Sequence, residues 1–378
     1  MPGKFNIIPI VKKELKQIGR DKRTLAIMLL APAFLLVMVG YALNFDVKHI
    51  KILFYDEDKT QESSNFIKYF SHTEYFIVYK QIDNITDADK YLEKGEVLVL
   101  ISINRDFSKN LLSGKEAVVQ VIIDGSNANT ASNALGYINA AIQSYSTKIL
   151  SQTILKQGVN FRIPIEIRNR FWYNPDLKSS RYLIPGLFGM ILMIVGVVST
   201  SMSLVREKEQ GTIEQIIVSP LKSYEIIIGK SLPYLAISLV ASTLVLIMSA
   251  ILFNITIQGS ILLFYLATML FLMGALGQGL LISSIAKTQA IAFLISVLSS
   301  LLPTFLLSGF IFPIKNMPIW LQIITHIVPA KYYLVALRCV MIKGTGIEAF
   351  WEQLVFLFLF CILTLGISIF MTRKELEK

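Results

Sequence analysis

Residues 182–205 read YLIPGLFGMILMIVGVVSTSMSLV, a run with no charged side chain and no histidine. A helix of this length extends about 36 Å, which is enough to cross the apolar core of a bilayer. Five other runs of similar character also lack Asp, Glu, Lys, Arg and His: 25–43, 232–252, 261–286, 290–307 and 354–371. The sequence therefore predicts a polytopic α-helical membrane protein with six transmembrane helices.

The composition of the whole chain agrees with a membrane protein. Of the 378 residues, 54% are hydrophobic and only 16% are charged, whereas soluble domains carry about 25% charged residues. The mean hydropathy is +0.59. Two cysteines and three histidines are too few for a disulfide framework or a Cys/His zinc site. This excludes a disulfide-rich secreted protein and a protein with a structural zinc site.

The distribution of positive charge predicts an orientation in the membrane. Seven Lys and Arg but only two acidic residues precede the first run, and Lys287, Arg373, Lys374 and Lys378 flank later runs. By the positive-inside rule both termini are cytoplasmic, so that 44–181 and 308–353 are extracytoplasmic. Residues 25–43 could instead be a signal-peptide core, but they exceed the usual length and a long segment precedes them.

The first 24 residues form a predicted amphipathic helix on the cytoplasmic side. Ile8, Val11, Leu15 and Ile18 recur at helical spacing, and lysines and arginines occupy the rest of the surface. Such a helix suits the surface of an anionic inner leaflet. The alternative is that the basic residues act only as an orientation signal.

Residues 44–181 predict an extracytoplasmic α/β domain between the first and second spans. Strand-like runs at 50–55, 74–79, 96–103 and 117–123 alternate with helix-like runs at 63–70, 87–93 (capped by Thr86 and closed by Gly95) and 106–112. A helix at 131–156 and a strand at 161–167 follow. Alternation of this kind predicts a small, largely parallel sheet. With 17 basic and 16 acidic residues, the domain gives no argument for binding nucleic acid.

Acidic turns after two of these strands have two interpretations. Asp56-Glu57-Asp58 and Asp124-Gly125 stand where ligands bind in open α/β sheets. Turn and cap chemistry explains the same residue types, and we favour the turns.

Two further segments outside the spans are structured. In the cytoplasmic loop 206–230, Thr212 and Gln215 have capping-box spacing and Ser219-Pro220 ends a short helix, which favours a docking surface over a solvated connector. The apolar region 308–353 is interrupted by Pro313, Pro318 and Pro329. It predicts two short helices that dip into or lie on the outer leaflet.

The absence of charge from the spans limits the mechanisms available to the chain. Transporters driven by protons or voltage normally place ionisable side chains inside the bilayer, so any energy source should lie elsewhere. Gly229-Lys230-Ser231 ends like a phosphate-binding loop, but Tyr224 stands where its first glycine should be. No catalytic constellation is present, and an enzyme is not predicted.

The chain resembles a known family along nearly its whole length. Residues 205–215, VREKEQGTIEQ, followed by 218–221, VSPL, and by Gly229-Lys230, resemble the loop after the second span of ABC exporter permeases of the type 2 class. The segments 312–318, FPIKNMP, and 329–333, PAKYY, resemble that family as well. So do 55–58, YDED, 123–127, IDGSN, and 173–175, YNP, in the outer domain.

The resemblance implies a function, partners and site residues. It implies a permease of the bacterial cytoplasmic membrane that dimerises, as a homo- or heterodimer, and binds separate ATPase subunits; the ATP-Mg belongs to these, and this chain holds no cofactor. It implies a coupling helix in the loop, with ATPase-coupling residues Arg206, Glu207, Gly211, Thr212, Glu214, Gln215, Ser219 and Pro220. It also implies re-entrant helices that close the exit, with Pro313, Met317, Pro318, Trp320, Pro329, Tyr332 and Arg338.

The sequence is consistent with two functions from different classes. The first is the permease subunit of an ATP-driven exporter of amphipathic drugs or lipids, with a periplasmic adaptor as a further partner. The second is a membrane-anchored sensor or envelope-assembly module whose outer domain binds a ligand. Six spans favour the first, because an anchor needs only one.

Overall fold

The computed structural model describes residues 7–42, 49–73, 75–156, 172–175, 178–212 and 221–376. The chain divides into two compact units, one made of Met1–Asn44 with Phe171–Lys378 and the other of Phe45–Arg170. In its described residues the first unit is helical, whereas the second combines a sheet with helices.

The secondary structure follows the chain in a simple order. The helices are α1 (Ile7–Arg20), α2 (Lys22–Ala42), α3 (Gln61–Ser71), α4 (Thr86–Glu93), α5 (Phe107–Leu112), α6 (Ala128–Lys156), α7 (Ser179–Glu209), α8 (Ser223–Phe253), α9 (Ile261–Ile285), α10 (Gln289–Leu307), α11 (Ile319–Ile324), α12 (Pro329–Arg338) and α13 (Trp351–Leu376). The strands are β1 (Ile50–Asp56), β2 (Phe76–Ile82), β3 (Val99–Ile103) and β4 (Val119–Ile123).

The six predicted spans are confirmed. Within the described ranges, six helices are long and apolar enough to cross a membrane, namely α2, α7, α8, α9, α10 and α13. Several helices are longer than the uncharged runs, since polar and charged residues at their ends are helical as well. Thus α7 continues to Glu209 and α8 begins at Ser223, so charged residues occupy the helix ends even though the apolar parts carry none.

The second span, α7, lies at the centre of the helical unit. In its most apolar stretch 78% of the residues are buried, against 22–50% in the other five spans. It packs against α2, α8, α9, α10 and α12. The tight turn after α9 suggests that α9 and α10 pack side by side, but α10 packs mainly on α7, where the Ser201 and Ser296 hydroxyls lie 2.6 Å apart.

The region between α10 and α13 contains the two short helices that the prolines predict. The segment Ile319–Ile327, which includes α11, is bent by 85° relative to Pro329–Lys343, which includes α12. The two helices differ in burial: Trp320 of α11 is 63% exposed, whereas Tyr333 and Leu334 of α12 are fully buried. Only α12 contributes to the packed core.

The second unit contains a four-stranded sheet in the order β2-β1-β3-β4. β1 is parallel to β2 and to β3, and β4 is antiparallel to β3, as a largely parallel sheet requires. Alternate side chains of β1 enter two separate cores, Ile52 and Phe54 in one and Leu53 in the other. Because both faces are covered, β1 and β3 are nearly continuous apolar runs.

The strands and helices of this unit lie close to their predicted positions, with shifts at the ends. β2 runs to Ile82 rather than ending at residue 79. Thr86 is the first residue of α4 and not its cap, because the cap position is Ile85 and makes no side-chain hydrogen bond. The strand predicted at 161–167 lies outside the described residues.

The acidic residues after the strands act as turn residues. The carboxylate of Asp56 accepts hydrogen bonds from the backbone N–H groups of Asp58 and Lys59 at 3.0 and 3.1 Å and from the Ser63 hydroxyl at 2.7 Å. Asp124 accepts the N–H of Ser126 at 2.9 Å. These contacts confirm the turn interpretation.

Candidate functional site

The amino-terminal helix docks against the start of the third span. Gly229 of α8 permits the contact, because a Cβ atom there would lie 2.8 Å from Cγ2 of Ile10 in α1. The predicted apolar stripe is only partly buried by this docking. Ile18 is buried, whereas Ile8 is 76% and Leu15 is 47% exposed.

Beside this contact lies an ionic cluster, formed by Lys13, Glu14, Glu207 and Lys230. Lys230 Nζ of α8 lies 2.8 Å from Glu14 Oε1 of α1 and 2.7 Å from Glu207 Oε2 of α7. Lys13 Nζ lies 2.7 Å from Glu207 Oε1. The side chains of Glu14, Glu207 and Lys230 are 1–3% exposed, and that of Lys13 is 51% exposed. The cluster therefore joins three helices through buried charge.

The charges of the ionic cluster balance, with two carboxylates and two ammonium groups. Burying a charge is costly unless a partner of opposite sign compensates it. Removing one member of such a pair leaves the other buried and uncompensated, which typically costs about 3–5 kcal/mol. Each member of the ionic cluster thus helps to hold α1, α7 and α8 together.

Arg206, the residue before Glu207, contacts the junction between α1 and α2. Its Nη1 lies 3.1 Å from Oδ2 of Asp21. Asp21 also accepts hydrogen bonds from the Thr24 hydroxyl at 2.7 Å and the Thr24 N–H at 3.1 Å, so that it caps α2. The hydrogen bonds from Thr24, aided by the one from Arg206, lower the pKa of Asp21 to about 2.

The next two residues contact the other side of the bundle. Lys208 Nζ donates to the backbone carbonyl of Ser283, near the end of α9, at 2.9 Å. Glu209 accepts the backbone N–H of Gln289, the first residue of α10, at 2.8 Å, and it also accepts the Gln289 side-chain amide. A carboxylate at this position satisfies a free N–H group at a helix start and complements the helix dipole.

Residues 206–209 together form a connection that we call the α7 junction. Successive residues of a helix point about 100° apart, so four in a row cover the whole circumference of the helix end. Each of the four contacts a different part of the unit: the α1–α2 junction, α1 with α8, the end of α9, and the start of α10. The helix end next to the predicted coupling loop is thereby fixed to five helices, α1, α2, α8, α9 and α10.

The α7 helix stops directly after this junction. Gly211 has φ +68°, a left-handed conformation that glycine adopts without steric cost. The N–H groups of Gly211 and Thr212 donate to the carbonyls of Lys208 and Glu207 at 3.2 and 3.0 Å, which is a Schellman ending. The hydroxyl of Thr212 also donates to the Glu207 carbonyl, at 3.2 Å. These two residues therefore direct the chain from α7 into the loop.

The predicted coupling residues divide into two groups. Glu214, Gln215, Ser219 and Pro220 lie outside the described residues, so their coupling role remains a prediction. The resemblance implies that Glu207 is a coupling residue, and in the structure its carboxylate is buried between Lys13 and Lys230. Arg206 is partly exposed but is engaged with Asp21.

Two members of the ionic cluster were not among the predicted site residues. Glu14 stands three residues after Val11 and four before Ile18, within the apolar stripe of the amphipathic helix, and Lys230 stands just before the apolar run of the third span. A single charge within an apolar stripe is a signal that it is paired. The sequence carries that signal, but it does not identify the partner.

At the amino end of α7 a second contact involves the predicted residue Arg338. Its guanidinium lies over the ring of Tyr182, 3.9 Å from the centroid, and both of its terminal nitrogens lie 3.2 Å from the carbonyl oxygen of Gly309. The Tyr182 hydroxyl donates to the same carbonyl at 3.0 Å. We call these three residues the Arg338 clamp. Within the described residues, no carboxylate pairs with Arg338.

The other predicted residues of this region set the course of the chain. Pro313 and Pro318 precede short helical turns, and Pro329 is the first residue of α12. The carbonyl of Met317 accepts the side-chain amide of Gln322 at 2.8 Å. Tyr332 stacks on Phe356 of α13 at 4.6 Å and donates to the His326 carbonyl at 3.0 Å. The exposed Trp320 lies apart from these contacts.

The described residues contain no group of three or more His, Cys, Asp or Glu side chains that could hold a metal ion. The contacts above are ion pairs, hydrogen bonds and ring contacts between helices. An arrangement of this kind can transmit movement from one helix to another.

Comparison with known proteins adds an independent finding. A family model described as ABC-2 family transporter protein matches residues 22–370. The chain is 32% identical over 345 residues to the probable multidrug ABC transporter permease YbhR of Escherichia coli, which covers 91% of this chain and 92% of that protein.

Two further relatives extend the comparison. The probable multidrug ABC transporter permease YbhS of Escherichia coli is 29% identical over 366 residues, covering 97% of this chain and 96% of the relative. ABC transporter G family member 20 of Dictyostelium discoideum is 26% identical over 343 residues, which cover 90% of this chain but 47% of that longer protein.

Proposed function

Because the chain belongs to the ABC-2 family of transporter proteins, we propose that it is the permease subunit of an ATP-driven exporter of amphipathic drugs or lipids. It is a multi-pass membrane protein whose described part has six apolar spans. The names of YbhR and YbhS, which call both relatives multidrug permeases, support the class of cargo. The absence of charge from the apolar parts of the spans also favours cargo that enters from the bilayer.

The proposal includes an orientation in a bacterial inner membrane. Both termini lie in the cytoplasm, and the α/β unit and the region 308–353 lie on the opposite side. The excess of Lys and Arg before the first span supports this orientation. In this arrangement the α7 junction is cytoplasmic and the Arg338 clamp is extracytoplasmic.

In this proposal the chain is not an enzyme, and the energy comes from a separate ATPase subunit that binds ATP-Mg. The loop containing Glu214, Gln215, Ser219 and Pro220 docks on that subunit. The complex contains two permeases, identical or different, and a periplasmic adaptor protein is a further partner. Membership of the ABC-2 family supports the ATPase and the second permease.

One observation carries the proposal: the α7 junction. The loop leaves α7 at Gly211, directly after four residues that fix this helix end to α1, α2, α8, α9 and α10. A push on the loop therefore acts on these five helices and not on α7 alone. Since α7 has 31 residues, it carries the movement over about 46 Å.

The coupling role is tested with the permease and its candidate ATPase expressed together. We expect Glu214→Lys to weaken co-purification of the ATPase and to abolish its stimulation by the permease. Glu348→Lys is the matched control, because Glu348 is an exposed acid in the region 308–353. Undiminished binding and stimulation with Glu214→Lys would contradict the coupling role.

The cargo is tested with the complex reconstituted into vesicles. We expect ATP-dependent movement of a fluorescent amphipathic dye or a labelled lipid, which a variant of the ATPase unable to hydrolyse ATP should lack. Transport of only an ion or a polysaccharide would contradict the proposed cargo while leaving the permease assignment in place.

A further inference from the structure

A polar cavity of about 520 Å³ lies within the helical unit, away from the α7 junction. Ligand pockets in proteins have volumes of roughly 300–1,000 Å³, so the cavity can hold a small molecule or a lipid headgroup. It is formed where the amino end of α7, the carboxyl end of α8 and the turn after α12 meet. The polar residues that the argument uses are Tyr173, Arg181, Asn254, Thr256, Gln258 and Lys343.

The charged side chains among the described lining residues of the cavity are both positive. Arg181 and Lys343 line it, and the described lining residues include no carboxylate. One nitrogen of Arg181 donates to the Tyr173 carbonyl at 2.9 Å, and its other guanidinium donors have no partner among the described residues. Lys343 is exposed and makes no ion pair with the part of the chain that the structure describes. Two cations and no carboxylate among the described lining residues favour an anionic ligand.

One wall of the cavity is built by close backbone contacts. The N–H groups of Gln258 and Gly259 donate to the carbonyls of Met341 and Val340 at 3.3 and 3.0 Å. A Cβ atom on Gly344 would lie 3.1 Å from the Gln258 carbonyl oxygen. The loop after α8 is therefore pressed against the turn that carries Lys343, and these contacts fix the backbone of that turn.

This turn is itself unusual. Residues Cys339–Lys343 form a single π-helical turn that directly follows α12. Such turns are rare and frequently occur at functional sites. Neutral hydrogen-bonding groups complete the lining, since Asn254, Thr256 and Gln258 lie on the opposing loop.

The depth of the cavity indicates where its ligand comes from. The apolar helix α8 ends at Phe253 and its neighbour α7 begins at Ser179, so the cavity opens at the level where the apolar spans end. Lipid phosphates lie at this level, just outside the hydrocarbon core. Basic side chains at the ends of spans meet these phosphates.

We propose that the cavity binds the phosphate group of an anionic phospholipid, with Lys343 and Arg181 as its charged contacts. Soluble phosphate offers the same chemistry, but a lipid headgroup fits the volume and the depth better. The site goes beyond the exporter function and does not depend on it. A lipid bound there would join the start of α7 to the turn after α12.

The test uses the full-length permease, purified in a neutral detergent without an ATPase. The probe is phosphatidylglycerol with six-carbon acyl chains, compared with phosphatidylcholine of the same chain length and with inorganic phosphate. We expect Lys343→Gln to weaken binding of the anionic lipid about tenfold, the loss of one charge-assisted hydrogen bond. Lys315→Gln is the control, because Lys315 is an exposed lysine of the same region outside the cavity.

The outcomes separate the possible ligands. Equal affinity of the wild type and Lys343→Gln for phosphatidylglycerol would overturn the site, as would equal weakening by Lys315→Gln. Tight, Lys343-dependent binding of inorganic phosphate without preference for the lipid would overturn the lipid as its source. Because no transport is measured, failure of this site leaves the exporter proposal unchanged.

Discussion

The two ends of α7 are held in opposite ways. At its carboxyl end every charged side chain of residues 206–209 has a partner on another element, and the central carboxylate is buried between two ammonium groups. At its amino end, Arg338 contacts Tyr182 and a single carbonyl oxygen of Gly309, with no carboxylate partner among the described residues. About 38 Å of helix separates Tyr182 from Glu207.

The difference indicates which end can rearrange. Opening the ionic cluster would expose or orphan buried charges, at a cost of several kcal/mol. Opening the Arg338 clamp breaks at most three hydrogen bonds to the neutral carbonyl oxygen of Gly309, two from Arg338 and one from Tyr182, and one cation–π contact. Another oxygen can replace that acceptor. We therefore expect α7 to stay fixed at the junction and to move its neighbours at the clamp.

The largest effect should follow from Lys230→Met, which keeps the bulk of the side chain but removes the charge between Glu14 and Glu207. Two buried carboxylates then face each other, and we expect a loss of about 3–5 kcal/mol in stability. The measurement is the melting temperature of the purified permease in detergent. Lys16→Met, at an exposed lysine of α1, should leave the melting temperature unchanged.

A double variant sharpens this prediction. Glu14→Gln removes one of the two carboxylates that Lys230 compensates, so Glu14→Gln with Lys230→Met should lose less than the sum of the single losses. Strict additivity would mean that the two side chains do not stabilise each other, and the ionic cluster would not hold the helices together.

A smaller effect is expected where α1 docks on α8. Gly229→Ala places a methyl group 2.8 Å from Cγ2 of Ile10, so the two helices must separate slightly. We expect a loss of about 1–3 kcal/mol, the usual cost of overpacking. The melting temperature is again the measurement.

The companion change tests the cause of that loss. Ile10→Ala removes the side chain that the new methyl group meets, so the pair of changes should recover part of the stability lost by Gly229→Ala. A double variant less stable than both single variants would show that overpacking at this contact is not the cause.

At the other end of α7, Arg338→Lys tests the clamp. An ammonium group keeps the charge but cannot lie flat on the Tyr182 ring or donate twice to the Gly309 carbonyl. We expect a loss of about 1 kcal/mol, well below that of Lys230→Met. A loss as large as that of Lys230→Met would contradict the contrast between the two ends.

Much of this contrast could not be read from the sequence, although the spans could. Each span is a local signal, since some 20 consecutive apolar residues suffice to define it. The ion pairs of the α7 junction and the ionic cluster join residues that are 185, 194 and 216 positions apart in the sequence. No local pattern pairs residues at such separations. The family resemblance makes Glu207 a contact to the ATPase, and no local pattern indicates that its carboxylate is buried between Lys13 and Lys230.

The α/β unit illustrates the same limit on a smaller scale. The apolar runs of β1 and β3 identified the strands, because both faces of these strands are buried. The apolar pattern does not mark the end of β2, since Lys80 and Gln81 are polar although they continue its pairing with β1. Backbone hydrogen bonds, which carry no side-chain signal, decide such boundaries.

The smallest predicted effect concerns Asp21, which joins the α1–α2 turn to Arg206. Its pKa is lowered to about 2 from the ordinary value of 3.8, so its contribution to stability is fully present well above pH 3.8 and is lost as the pH falls through about 2. Asp21→Asn should therefore lower the melting temperature modestly at pH 7, and this difference should shrink on acidification toward pH 2. Asp21 is only half-buried and its ion pair with Arg206 is partly solvated, so the effect must stay below that of any change in the buried ionic cluster. A difference that is constant with pH would mean that the Asp21 carboxylate does not stabilise the junction, and that the buried members alone fix this end of α7.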